Sequence, residues 1–520
     1  MKNITYKVLG ALLVFATILP SCDKGFEEIN TDPINILETT PDKLLAPALV
    51  NILSANMMRN RNFNNELMQV TVSISDGDAT VFRYEYRRTF SDYLWNAWFV
   101  QVNNLKDIYK LAGEPEKLNK SYQGISLISQ AWVFSLLTDT YGDVPYSEAG
   151  QGKSGQLQPK FDAQKDIYLD LFKKLEEANT LLTAGTAITK ESDPVYNGDV
   201  AKWRKFGNSL YLRLLLRISE KSDVSSSCIA KIKEIAETNS ASYPTISNNA
   251  ESATIKWSGE PGVGPYVNPY YNGVRAQDFR AASMCKFFMD NLRDWQDPRI
   301  NLTTYANGGV SSIGINPGSS GFSGVPSGYN VGENITRLSY FYSYEQLISN
   351  VVAGSRSMQQ SPLTGILMNY AELQFILAEA AAKGWISGAA EGYYYKGMAN
   401  SINYWSPKFP ADPNNAVFKA YVTNAELEWN AGGSMEDKME QIHLQKYYAL
   451  FMVDMQQWFE YRRTSHPILP LGPGLKNNRE MPARMAYPVY VQSANPGNYN
   501  LAVANQGGDE INTKVWWQKR

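Results

Sequence analysis

Ile167, Leu171, Leu175, Ala178 and Leu182 fall at steps of four, four, three and four, which is one apolar stripe along a helix. The same spacing returns at Trp203, Phe206, Leu210, Leu214 and Ile218, and at Leu373, Ile376, Leu377 and Ala380 within residues 368–383. Leu444, Tyr448, Phe451, Met455 and Trp458 predict one more helix, running to about Arg463. Residues 123–137 are apolar on most sides, so a helix there is expected to be buried. Asp162 is placed to cap the helix that carries the first stripe, and Gly384 to stop the one over 368–383. Pairs such as 368–383 with 388–405 bring Ala, Gly and aromatic residues together. They predict a mainly α fold, a scaffold of tetratricopeptide-like helical hairpins, although no regular repeat period runs through the chain.

The amino terminus sets the compartment. Lys2 and Lys7 precede an apolar run over 8–19, and Leu19-Pro20-Ser21-Cys22 closes it. A dozen apolar residues fall short of the roughly 20 needed to span a bilayer. The pattern predicts a lipoprotein signal peptide over 1–21, removed so that Cys22 becomes the acylated first residue. Two or more acyl chains anchor a protein stably. Residues 22–40, polar and holding Asn30-Thr31-Asp32-Pro33, read as a lipid-anchored tether, and 41–520 as a single domain outside the cytoplasm.

Net charge is −2 and no long basic tract occurs, which argues against nucleic acid as a partner. The cysteines are Cys22, Cys228 and Cys285, and the only histidines are His443 and His466. A Cys/His zinc site is therefore excluded, while pairing of Cys228 with Cys285 stays open. The motifs of serine hydrolases, zincins, P-loops and dinucleotide-binding folds are absent, so no catalytic residue, metal ligand or cofactor is assigned. Asp139 and Asp143 flank a turn that they are expected to fix. His443 reads as a packed helix residue, and Arg462 and Arg463 as cations at a helix end. Arg213 and Arg217, one turn apart, are expected to pair with Glu372 or Glu379 across a helix interface.

Two long stretches interrupt the helical pattern, near 239–276 and 303–362, and loops of that length usually have a function. They are dense in rings: Trp257, Tyr266, Tyr270 and Tyr271 in one, and Tyr329, Tyr340, Phe341, Tyr342 and Tyr344 in the other. A third loop, 75–86, holds Asp76, Asp78, Tyr84 and Tyr86; its two carboxylates are suited to a calcium ion or a ligand hydroxyl, but do not make an EF-hand.

Several stretches, in order, resemble one family. They are Ser21-Cys22-Asp23 with 26–33, then Asp139-Thr140-Tyr141-Gly142-Asp143-Val144-Pro145-Tyr146, then 203–210 with Arg213 and Arg217. Glu372 with 378–380, Gln445-Lys446-Tyr447 and 458–464 follow, and the tail adds 484–488, Asn495, Asp509 and 514–517. Together they resemble SusD/RagB-type lipoproteins, the SusD-like nutrient-binding subgroup in particular. The resemblance implies an outer-membrane lipoprotein of Bacteroidetes-type bacteria. Such a protein sits as a lid on a SusC-like TonB-dependent transporter and hands it oligomers, glycan more often than peptide.

On that reading the protein is a binding protein and not an enzyme. Its ligand contacts are expected from Asp76, Asp78, Tyr84, Tyr86, Trp257, Tyr266, Tyr270, Tyr271, Tyr340 and Tyr342, with sugar faces stacked on rings. Trp257→Ala is expected to weaken ligand retention at little cost in melting temperature. The alternatives are a surface glycan hydrolase with two loop carboxylates about 5–10 Å apart, or a ligand-free structural subunit of the transporter.

Overall fold

The computed structural model describes residues 39–519, apart from 76, 78–79, 303, 305–311 and 346–356. Cys22, the signal peptide and most of the tether lie outside the described residues, as do Asp76 and Asp78. The unit that begins at Pro41 is mostly helical. Its scaffold consists of α1 (Pro41–Arg59), α2 (Asp92–Leu111), α3 (Lys120–Tyr141), α4 (Gln164–Leu182) and α5 (Val200–Ile218). After the long loops come α6 (Tyr370–Ala382), α7 (Ala390–Trp405), α8 (Met435–Ala449) and α9 (Gln456–Thr464). Each of α1 to α5 packs on the next, and α6, α7 and α8 pack on one another, which is the hairpin stacking that the paired stripes predict.

The stripes face inward as spaced. Ile167, Leu171, Leu175, Ala178 and Leu182 are all buried on α4, and Trp203, Phe206, Leu210, Leu214 and Ile218 on α5. Helix α3 is buried all round, as its composition requires. Asn119 caps α3, Asp199 caps α5, Asn369 caps α6, and Ser434 forms a capping box with Asp437 on α8. Gly384, at φ +73°, follows the end of α6. Gly397 of α7 lies against the Phe375 ring of α6, where a Cβ would come within 2.8 Å of ring carbons. The hairpin depends on that close approach.

Two expectations are corrected. Asp162 does not cap α4; its carboxylate accepts from the Tyr146 and Ser147 amides at 3.2 and 2.8 Å. The first amide of α4, Gln164 N, donates instead to Asp143 Oδ1 at 2.9 Å. The stripe from Leu444 to Trp458 is not one helix, because the chain breaks between α8 and α9, with Met452 and Asp454 at φ +65° and +41°. A buried polar network holds the break. Asp454 accepts from Asn56 Nδ2 at 2.7 Å and Trp132 Nε1 at 3.0 Å, and its carbonyl accepts from Asn60 Nδ2 at 2.6 Å. Burial of these groups makes the bonds obligatory, and they lock α1 and α3 to the turn before α9.

Strands are short. Among the described residues they form four two-stranded antiparallel sheets. Ala253–Ile255 pairs with Gly365–Met368, and Ile315–Asn316 pairs with Tyr340–Phe341. The first pair ties the loop near 239–276 to the segment that leads into α6, and the second closes the loop near 303–362 on itself. Cys228 and Cys285 are both buried free thiols.

Candidate ligand-binding face

Two side-chain amides hold the long loops together. Asn268 caps the turn Pro269–Gly273 through Tyr270 N (2.9 Å), and its Nδ2 reaches Met358 O, Ser361 O and Thr364 Oγ1 at 2.9 to 3.1 Å. Gln359 Nε2 donates to Tyr270 O (3.1 Å) and Val274 O (2.9 Å), and its Oε1 accepts from Tyr344 N at 3.3 Å. Both amides are buried, so these bonds fix where the neighbouring rings point.

The rings divide. Tyr270 turns inward, fully buried, its hydroxyl donating to Met57 O at 2.9 Å. Tyr271 turns outward, half-buried, and pairs with half-buried Tyr344, ring centroids 4.5 Å apart and 33° between planes. Further along, Tyr340 is half-buried in its strand pair, and its hydroxyl accepts from Asn316 Nδ2 at 3.1 Å. The Arg337 guanidinium sits 3.9 Å over that ring, and Arg337 Nη1 donates to Arg280 O at 2.5 Å. Arg280 Nη1 in turn donates to Ser343 Oγ at 2.9 Å, beside Tyr344. A connected half-buried face results: Tyr271, Tyr344, Arg280, Arg337, Tyr340 and Asn316. It offers flat ring surface next to amide and guanidinium donors, the combination that holds an amphipathic ligand.

Of the other expected ligand residues, Trp257, Tyr84, Tyr86 and Tyr342 are part of the core. Trp257 is 3% exposed and Tyr84, Tyr86 and Tyr342 are also buried. Tyr86 donates to Arg484 O at 2.7 Å and packs edge-on against Phe63. Burial pushes the phenols of Tyr84, Tyr86, Tyr270 and Tyr342 upward. As placed, these five rings present no face to a ligand; they pack the loops onto the helices. Tyr266 is half-buried, with its carbonyl accepting from Ser258 N at 2.7 Å, and its ring packs against the core. Arg280, Arg337 and Asn316 escape sequence reading, because nothing local marks them; long-range pairing of the loops brings them beside the tyrosines.

The buried charges are structural. Asp139 accepts from Tyr168 Oη (2.6 Å) and Trp517 Nε1 (2.8 Å). Glu379, His443 and Glu460 bring ligand-type atoms within 4.8 Å of one another. Arg463 lies 2.6 Å from Glu379 and 2.8 Å from Glu460, and Lys446 lies 2.6 Å from Glu460. Those cations already neutralise the carboxylates, and a divalent metal added between them would meet strong repulsion. The cluster does not fit a metal.

The described residues thus form a helical-hairpin scaffold that carries an aromatic, donor-rich loop face. Residues 33–488 match the SusD-like family described as starch-binding associating with outer membrane, and the chain belongs to that family. It is similar in structure to a SusD homologue from Bacteroides fragilis, with 23% identity and a TM-score of 0.73 over 93% of this chain and 100% of that one. A chitin-binding protein matches at 25% identity and TM-score 0.71, over 92% and 100% of the two chains. A chitin-binding SusD homologue from Flavobacterium johnsoniae matches at 20% and 0.73, over 92% and 98%. No curated protein matches the chain. Among the described residues no helix is long and apolar enough to cross a membrane.

Proposed function

We propose that this protein is a cell-surface lipoprotein, anchored through Cys22, that captures an oligosaccharide and delivers it to a SusC-like TonB-dependent transporter. The observation that carries the capture is the Tyr271–Tyr344 ring pair, held half-exposed beside Arg280 and Arg337. A pyranose ring has an apolar face that stacks on a phenol and hydroxyls that bond to guanidinium and amide donors. Two or three such ring contacts, each on the order of 1 kcal/mol, with a few hydrogen bonds, give an affinity of roughly micromolar to millimolar. Weak binding suits a protein that must release its cargo.

The face sets two guanidinium groups and one amide beside its rings. The likeness to chitin-binding relatives supports a glycan ligand over a peptide. The test is a glycan and peptide array probed with a soluble form that starts after Cys22, alongside an assay for new reducing ends. Retention of a glycan without turnover is expected; reducing ends that vanish on mutating a loop carboxylate would contradict it. Co-purification of a transporter without retention of any oligomer would favour a structural subunit.

A further inference from the structure

A cleft of about 610 Å³ lies between the end of α5, helix α9 and the C-terminal segment 512–519. Arg217, Arg462 and Arg463 line it from the two helices. Arg463 is paired with Glu379 and Glu460, and Arg217 Nη2 lies 3.2 Å from Glu460. Arg462 makes no such pair: it donates to the backbone oxygens of Ala483 and, at 2.6 Å, Asp139. Its guanidinium rests 4.8 Å from the Trp517 ring centroid, and that of Arg217 rests 5.7 Å from the same ring. Two cations thus share one indole. Arg217, only 2% exposed, also has Nη1 3.9 Å from Asp139 Oδ2, so the buried floor of the cleft is compensated within the fold and its open charge lies on the rim.

The rim adds Lys221, Arg479, Lys514 and Lys519, which form no ion pair among the described residues. Lys519 and Arg479 donate to backbone oxygens, of Gln506 at 2.6 Å and of Leu471 at 3.1 Å. Of the two carboxylates in the lining, Glu220 is engaged by Lys383 at 2.8 Å, which leaves Glu480.

We propose that this cleft binds a small molecule carrying two or more oxyanion groups, carboxylate or phosphate. An oxyanion in the cleft meets the rim cations Lys221, Arg479, Lys514 and Lys519, which no carboxylate among the described residues pairs, and charge-assisted bonds to Arg are about twice as strong as neutral ones. The volume exceeds what one phosphate fills and falls in the usual range for small-molecule sites, roughly 300–1,000 Å³. Burial, only partly offset by Asp139, pulls the Arg462 guanidinium below its usual range. The site shares no residue with the aromatic face and stands independently of the glycan reading.

The test is titration calorimetry of the soluble form with citrate and with pyrophosphate at low ionic strength, and with maltotriose as the neutral control. Saturable binding of either anion is expected, weakened by added salt, and at least about tenfold weaker in Arg479→Gln/Lys514→Gln. Both side chains are exposed, so this double variant is expected to keep the wild-type melting temperature. Bound anion should also raise that temperature in wild type more than in the variant. No saturable binding of either anion, or equal affinity in wild type and variant, would overturn the proposal.

Discussion

Arg213 on α5 forks onto Glu372 on α6, with Nε to Oε1 and Nη2 to Oε2 both 2.6 Å, and both side chains almost fully buried. The pair joins the first run of helices to the second across the two long loops. Arg213 Nη2 also donates to Leu367 O at 2.9 Å, in the strand that tethers Trp257's loop. Removing one partner leaves a buried charge uncompensated. Glu372→Ala is expected to cost about 3–5 kcal/mol, whereas replacing both residues by apolar ones of similar size should cost much less. Guanidinium unfolding of the single and double variants checks this; equal losses in both would contradict the pairing.

Asp454 makes stability depend on pH near neutrality. Burial pushes its carboxyl up to about 7, with Trp132, Arg213 and Asn56 only partly offsetting it. In the unfolded chain the same group titrates near ~3.9. As pH rises between those values, the unfolded state releases a proton that the folded state keeps. This group's contribution therefore falls across the window and is flat above it. Asp454→Asn should remove that fall, and Asn tolerates the positive φ at this position. Urea unfolding at a series of pH values should show wild type losing stability relative to the variant as pH rises from about 4 to 7.

Glu379 and Glu460 act in the opposite sense. Burial alone raises them, but Arg463, with Lys383 and His443 around Glu379 and Lys446 and Arg217 around Glu460, holds both well below the usual carboxylate range. Their contribution is present above the unfolded pKa and is lost as pH falls below it. Arg463→Met should cost about 3–5 kcal/mol at neutral pH. The gap from wild type should narrow in acid, as the carboxyls it neutralises take up protons. A gap that does not change with pH would sink this account of the cluster.

Trp257 and Tyr344 should separate by what they damage. Trp257 is packed in the core, against the glycine at 365, so Trp257→Ala is expected to lower stability by about 3–5 kcal/mol. Tyr344→Ala removes a half-exposed ring and should change stability by less than ~1 kcal/mol. This reverses the expectation that sequence alone gives for Trp257. Thermal unfolding of the two variants checks it.

The scaffold was legible because helical periodicity is local: each stripe reports its own inward face without knowledge of its partner. Arg213 and Glu372 were legible as well, since a charged residue on an otherwise apolar helix face needs a buried counterion. Arg217 was less so; it meets Glu460, Asp139 and Gln456 and not Glu379, because α9 approaches α5 only after the break at Asp454. That break was hidden by apolar residues that keep helical spacing through it. In the loops the difficulty is sharper. Tyr270 and Tyr271 are adjacent and chemically identical, yet one is core and one is surface. The difference comes from Asn268 and Gln359 bonding to backbone far away in sequence, which no local pattern encodes.

On the proposed function, the outward Tyr271–Tyr344 pair holds the ligand. The most direct test is the affinity of the array-identified oligosaccharide for wild type and for Tyr271→Ala/Tyr344→Ala, measured by titration calorimetry with melting temperature as a control. A loss of about tenfold or more, on the order of 1.4 kcal/mol, with unchanged melting temperature is the predicted result. Undiminished affinity in a fully folded double variant would contradict the account.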